Sequence, residues 1–449
     1  MDDSRSSYWG IMMDRRDFVA ASAGLAFAGS VSGADSPMPV KLKPAMEQAR
    51  AAGLKSLKPT ARELEHGLKL HAESVVFDAY GFAPRAALDV DTLRQAYDAG
   101  ASDAELQDMR EEMGMIRCAA DPAERAEFET AWRAAGVTCI FQNAGEEGQD
   151  PLRLLARLAR FTFVTDALRG FVSRAAVPDD IEAAKKSGKH CLYLTGNGVP
   201  LNQRWATVED ELKHIRVFFQ LGIRMMHLTY NRRNMLGDGC GEAADGGISD
   251  LGRAAIAEMN RTGVIVDVAH SGWRTSLEAA KASSRPMVAS HTAAAAVNKN
   301  IRCKPDEVVK AIADTGGYVG VCCIPSFLGG GITAFLDHID YLVKKFGADH
   351  VAIGTDVAHA SPSRPGDGRP PGQARKSRTR FEALWPKGAL EGAADPQRTL
   401  AWTNFPLFTV GMVQRGHSDD DIRKILGGNV LRVARAAFKD VPGLSPAAR

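Results

Sequence analysis

Residues 263–291 read GVIVDVAHSGWRTSLEAAKASSRPMVASH. Two apolar runs, Gly263–His270 and Pro286–His291, each close on a histidine. β-Branched-rich runs of this length read as buried strands. The segment between them, Gly272 to Ser284, has helix-like spacing. Strand, helix, strand is the repeat of a parallel α/β fold, whose chemistry sits at the C-terminal ends of its strands. Two such strands would bring two imidazoles to one rim, and neutral imidazole is the commonest protein metal ligand, well suited to zinc. Two unrelated strand-end histidines would give the same text, because the spacing is not a stereotyped ligand pattern.

The same alternation extends in both directions. Strand-like runs fall at Ser74–Ala79, Gly136–Gln142, His190–Leu194, Ile223–Leu228, Gly263–His270, Pro286–His291, Tyr318–Cys323 and Val351–Thr355. Helical apolar spacing fills most gaps, as in Asp210–Leu221 and Ser249–Asn260. Eight strands alternating with helices predict a (β/α)8 barrel. Residues 35–73 are polar and helix-prone and form an N-terminal extension, so the barrel domain spans 74–449. Ser361 to Arg380, rich in Pro, Gly, Arg and Lys, reads as a long loop at the catalytic rim.

Composition narrows the function classes. Of 449 residues, 45% are hydrophobic and 24% charged, the balance of an ordinary globular protein. The net charge is +2 with no basic stripe, which argues against nucleic acid or an anionic membrane as partner. No apolar run reaches the roughly 18 residues of a membrane span. Arg15-Arg16 precede a weakly apolar run, Val19 to Ala28, and Ser32-Gly33-Ala34 offers a cleavage site. Residues 1–34 therefore resemble a twin-arginine export signal, and the expected location is periplasmic. A disordered basic leader is the plainer alternative. Seven cysteines without a CxxC pair suggest buried thiols, not a disulfide framework.

Further chemistry gathers near the same rim. Gly354-Thr355-Asp356 closes the eighth run, and the Asp356 carboxylate could act as general base or metal ligand, or simply cap a loop. His359 reads as a loop histidine. Arg302, in NKNIRCKPDE, could clamp a substrate carboxylate bidentately as a rim arginine little tied to the core. Tyr230, Asn231 and Asp238, in MHLTYNRRNMLGDGC, either touch substrate or build a turn.

These residues carry a resemblance. GISDLGRAAIAEMNRTGVIVDVAHSG, PMVASH, DHIDYLVKKFGADHVAIGTD and IRKILGGNVLRV together resemble the membrane (renal) dipeptidases of peptidase family M19, over about Ser74 to Val433. The resemblance implies an amidohydrolase-like (β/α)8 metallohydrolase that carries two zinc ions and cleaves dipeptides, some with a C-terminal D-residue. His270 and His291 match the histidines of one metal, Asp356 the catalytic aspartate, and Arg302 the arginine that holds the substrate carboxylate. Elsewhere the chain departs from the family. In FDAYGF, Tyr80 and Phe82 stand where a His-x-Asp pair binds the other metal. In LTGNGVP, Thr195 replaces the bridging glutamate, and Tyr230 replaces the histidine that polarises the scissile carbonyl. Phenylalanine cannot ligate a metal, and neutral tyrosine and threonine are weak zinc ligands. One zinc ion is therefore expected and the second site is lost.

Two functions follow. One is a mononuclear hydrolase of dipeptides or small modified peptides with a free carboxylate, using His270, His291 and Asp356, with Arg302 and Tyr230 on the substrate. The other is a non-hydrolytic relative that binds or matures a peptide-derived metabolite in the periplasm. A homodimer is compatible with either.

Overall fold

The computed structural model describes residues 41–145, 150–204, 206–362, 384–385, 394–439 and 441. The export-signal reading (1–34) and most of the rim loop (Ser361 to Arg380) fall outside the described residues. Among the described residues nine strands are present: β1 Phe77–Gly81, β2 Cys139–Asn143, β3 Val172–Arg174, β4 His190–Gly196, β5 Ile223–His227, β6 Ile265–Asp267, β7 Val288–Thr292, β8 Tyr318–Val321 and β9 Val351–Ile353. Eight of them run in the order β1-β2-β4-β5-β6-β7-β8-β9, all parallel. Past the end of β9, Thr355 N donates to Asp78 Oδ1 at 2.8 Å and Asp356 N to Tyr80 O at 2.9 Å, which brings the last strand back to the first. The fold is a TIM-type (β/α)8 barrel.

The helices wrap this barrel for readable reasons. In Asp250–Thr262, Ser249 caps the N-terminus by accepting from Gly252 N, Ala255, Ile256 and Met259 are buried, and Gly263 ends the helix at φ 95°. That is the expected sequence of cap, apolar stripe and left-handed glycine. The chain then enters β6 directly. The barrel interior is close-packed: a Cβ on Gly354 would sit 2.0 Å from Ser290 O, so only glycine lets the chain pass β7 there.

Two helices, Pro44–Leu57 and Ala61–Glu73, precede β1 and dock on the helix Phe405–Gln414 near the C-terminal end of the chain. Asn404 Nδ2 donates to Ala49 O at 2.8 Å, and His71 Nδ1 lies 2.8 Å from Thr409 Oγ1. No helix among the described residues is long and apolar enough to cross a membrane. All seven cysteines are free thiols.

Candidate active site

The site is built where β5, β6, β7 and β9 end. His227 is the last residue of β5. His270 lies three residues beyond β6, and His291 lies within β7. Asp356 lies three residues beyond β9, at φ 56°. A cavity of about 590 Å³ opens here, with Tyr80, Asn197, Tyr230, His270, Asp356 and Trp385 among its walls.

Each imidazole is held from behind. His270 Nδ1 donates to Asn231 Oδ1 at 2.7 Å, and Asn231 itself sits at φ 58°. His291 Nδ1 is 2.8 Å from Ser290 Oγ. The two Nε2 atoms face each other at 2.9 Å. Burial first, and the nearby Arg302 guanidinium second, push both rings well below the usual histidine range, so both are neutral. A third imidazole completes the group: His227, His270 and His291 each offer a nitrogen within 4.8 Å of the others, and all three are buried. His227 Nδ1 is 3.1 Å from Gly196 O, which accepts its proton. Its Nε2 lies 2.9 Å from Asp267 Oδ2, an ion-pair contact without the alignment of a full hydrogen bond, and neither atom has another partner among the described residues. Burial would raise the Asp267 carboxyl, but His227 and the Ser290 donors hold it below the usual carboxylate range. The sequence reading singled out neither His227 nor Asp267.

Arg302 is fully buried, not an exposed rim residue. Its guanidinium lies 5.1 Å from the Phe327 ring and 5.8 Å from that of Trp385. Nη2 donates to His291 O at 3.3 Å, while Nε and Nη1 have no hydrogen-bond partner among the described residues. Beside it Lys304, pushed down to about 8 by burial, donates to Ser271 O at 2.6 Å. Burial raises the Asp356 carboxyl to about 6, against the pull of Arg302 and His227.

Tyr80, Thr195, Phe82 and Tyr230 are engaged with neighbouring protein groups. The Tyr80 ring stacks on His291 at 3.8 Å and 17°, and its hydroxyl donates to Asn197 Oδ1 at 2.5 Å. Burial keeps that phenol protonated, well above its ordinary value. The Thr195 hydroxyl donates to Met225 O at 3.0 Å. Phe82 lines the cavity and meets the Tyr80 ring edge-on at 5.9 Å. Tyr230 stacks on His270 at 4.0 Å. Asp238 is a turn residue, bound by Arg233 at 2.5 and 2.9 Å and by Gly246 N at 2.5 Å. His359 pairs with Glu127 at 2.8 Å.

Comparison with known proteins agrees with this fold. The family model for "Membrane dipeptidase (Peptidase family M19)" matches residues 68–365. Dipeptidase tcpJ of Claviceps purpurea is 26% identical over 264 residues, 57% of this chain and 53% of its own. The chain spans about half the length of the curated relatives it matches. An amidohydrolase from Pseudomonas aeruginosa is similar in structure, with a TM-score of 0.60 and 25% identity, over 83% of this chain and 99% of its own. A metallo peptidase from Rhodobacter sphaeroides, solved with a phosphinate mimic of the dipeptide L-Ala-D-Ala, shares the fold. Its TM-score is 0.57 at 19% identity, over 81% of this chain and 100% of its own.

Proposed function

The chain belongs to the membrane dipeptidase family, peptidase family M19, and from that premise we propose a metallohydrolase that cleaves dipeptides or small modified peptides with a free carboxylate, using one zinc ion. The observation that carries this reading is the approach of His270 Nε2 to His291 Nε2 at 2.9 Å, with the far nitrogen of each ring held by an oxygen. Ligand histidines are fixed through their far nitrogen in this way. With Nδ1–H given to Asn231, His270 Nε2 carries a lone pair, and neutral imidazole is the metal-binding form. The family's other metal does not fit, because Phe82 offers it no donor and the neutral Tyr80 and Thr195 hydroxyls, engaged with Asn197 and Met225, are weak zinc ligands.

When bound, zinc supplies a Lewis acid and an acidified water. The chain's own residues supply the rest. Arg302 presents Nε and Nη1, both without a hydrogen-bond partner among the described residues, for charge-assisted contact to the substrate carboxylate. Asp356, near 6, accepts the proton of the attacking water as its oxygen bonds to the carbonyl carbon. It returns that proton to the amine nitrogen as the C–N bond breaks. Tyr230 stands where the family has a histidine, and its hydroxyl is the candidate donor to the carbonyl oxygen.

A non-hydrolytic binder or maturation protein for a peptide-derived metabolite is the second reading. It is favoured by the Tyr80 ring lying flat on His291. If Ser290 donates to His291 Nδ1, then His291 Nε2–H donates to His270 and no ion is needed.

The test follows amine release from dipeptides and their C-terminally amidated twins by the zinc-loaded chain. Cleavage confined to the free-carboxylate series, abolished by chelator, is expected. Arg302→Lys should raise KM about tenfold or more, from a contact worth about 1.5–3 kcal/mol. No hydrolysis by metal-loaded protein would remove the hydrolase reading.

A further inference from the structure

We propose that the metal centre is a mononuclear three-histidine site in which His227, together with His270 and His291, holds the ion. The proposal rests on the one-metal reading above and names the donor that completes it. In the family resemblance the ligands are a His-x-Asp pair, a bridging glutamate and two histidines; His227 corresponds to none of these. It stands at the end of β5, the strand beside β6.

Three observations support it. First, the three rings surround one point: their centroids lie 5.3 Å apart for His227–His270, 5.3 Å for His227–His291 and 4.9 Å for His270–His291. Second, His227 Nε2 is fully buried and, among the described residues, makes no aligned hydrogen bond, its near neighbour at 2.9 Å being Asp267 Oδ2, although Nδ1 is satisfied by Gly196 O. Buried polar atoms are almost always well paired, so a poorly aligned one leaves room for a further partner. Third, Asp267 Oδ2 lies 2.9 Å from that Nε2, while Oδ1 accepts from Ala269 N at 2.9 Å and Ser290 N at 3.1 Å. A buried carboxylate beside the three rings adds negative charge that favours a cation there. Asp267 thus restores, one shell out, the negative charge lost where Thr195 replaces a glutamate. Three histidines with an open fourth position form an established catalytic zinc set.

The competing account is a structural His227–Asp267 pair in the barrel interior, with two histidines on the metal. The experiment compares the wild-type chain with His227→Gln, His270→Gln and His291→Gln, loaded with zinc or cobalt(II). X-ray absorption of the wild type should count three imidazoles at the metal, a result that needs no variant to fold. His227→Gln should weaken metal binding by more than about 100-fold, beyond the roughly 10–100-fold lost with an outer partner, and should alter the cobalt visible bands. Two imidazoles in the wild type, or a loss of 100-fold or less with unchanged cobalt bands, overturns the role of His227 and leaves the one-metal reading standing. A wild type that binds no metal overturns both, and stoichiometry alone tells that case apart.

Discussion

Asp356 leaves the last strand at φ 56°, a left-handed conformation that costs an L-residue on the order of 1–3 kcal/mol. The surrounding structure pins it there through Asp356 N and Tyr80 O. Its carboxyl, raised to about 6 by burial, also makes the charged form costly. The unfolded chain loses that proton near 3.9, so from there to about 6 the native state binds more protons and stability falls as pH rises. Asp356→Asn removes the charge and keeps the shape. In the metal-free protein it should raise stability at pH 7 by on the order of 1–2 kcal/mol after solvent screening. The same change should lower kcat by about 100-fold or more. Denaturation midpoints and steady-state kinetics on one preparation read both effects, and lost stability with retained turnover would contradict the assigned role. At this scale the sequence was informative where a residue closes an apolar run: His270, His291 and Asp356 are visible that way. His227 was missed because it sits one residue inside the run read as Ile223–Leu228, where a histidine looks like core. The burial of Arg302 was invisible too, since NKNIRCKPDE is polar and the rings of Phe327 and Trp385 that pack on the guanidinium come from distant parts of the chain.

At the scale of elements, all eight runs read as strands lie on strands of the barrel. β3 was not read, because three residues pairing only with the start of β4 leave almost no periodic signal. The run to His270 overshoots β6, which ends at Asp267; the chain turns there so that Asp267 Oδ1 can take Ala269 N. β1 holds the barrel shut through one side chain. Asp78 accepts from Thr355 N at 2.8 Å, Thr355 Oγ1 at 2.6 Å, Trp402 Nε1 at 3.1 Å and Tyr80 N at 3.4 Å. Asp78→Ala would orphan several buried donors, each costing about 1–3 kcal/mol. The expected loss is on the order of 3 kcal/mol or more by denaturant unfolding. A loss under about 1 kcal/mol would show that these contacts do not close the barrel.

At the scale of the whole molecule, the helices before β1 and the chain's last helices clasp each other through buried neutral histidine. His71 bridges Thr409 and the Ala135 carbonyl, and burial holds it at about 3. His190, bound to Val137 O, is held at about 4, again chiefly by burial. Unfolded imidazoles take a proton near 6.5, while these refuse it, so the unfolded state binds more protons below that pH. The contribution of these two histidines should therefore be full above about 6.5 and drain as pH falls towards 4, opposed over part of that range by the raised carboxyls of Asp78, at about 7, and Asp356. His71→Gln should therefore lose less stability than the wild type between pH 7.5 and pH 5, and an unchanged pH dependence in that variant would contradict this. The central claim, that this barrel keeps its family's fold but only one of its metals, is tested most directly by metal analysis of the purified, zinc-equilibrated protein. One equivalent of tightly bound zinc per chain, lost in His270→Ala and in His291→Ala, is the predicted result; two equivalents, or none, would contradict it.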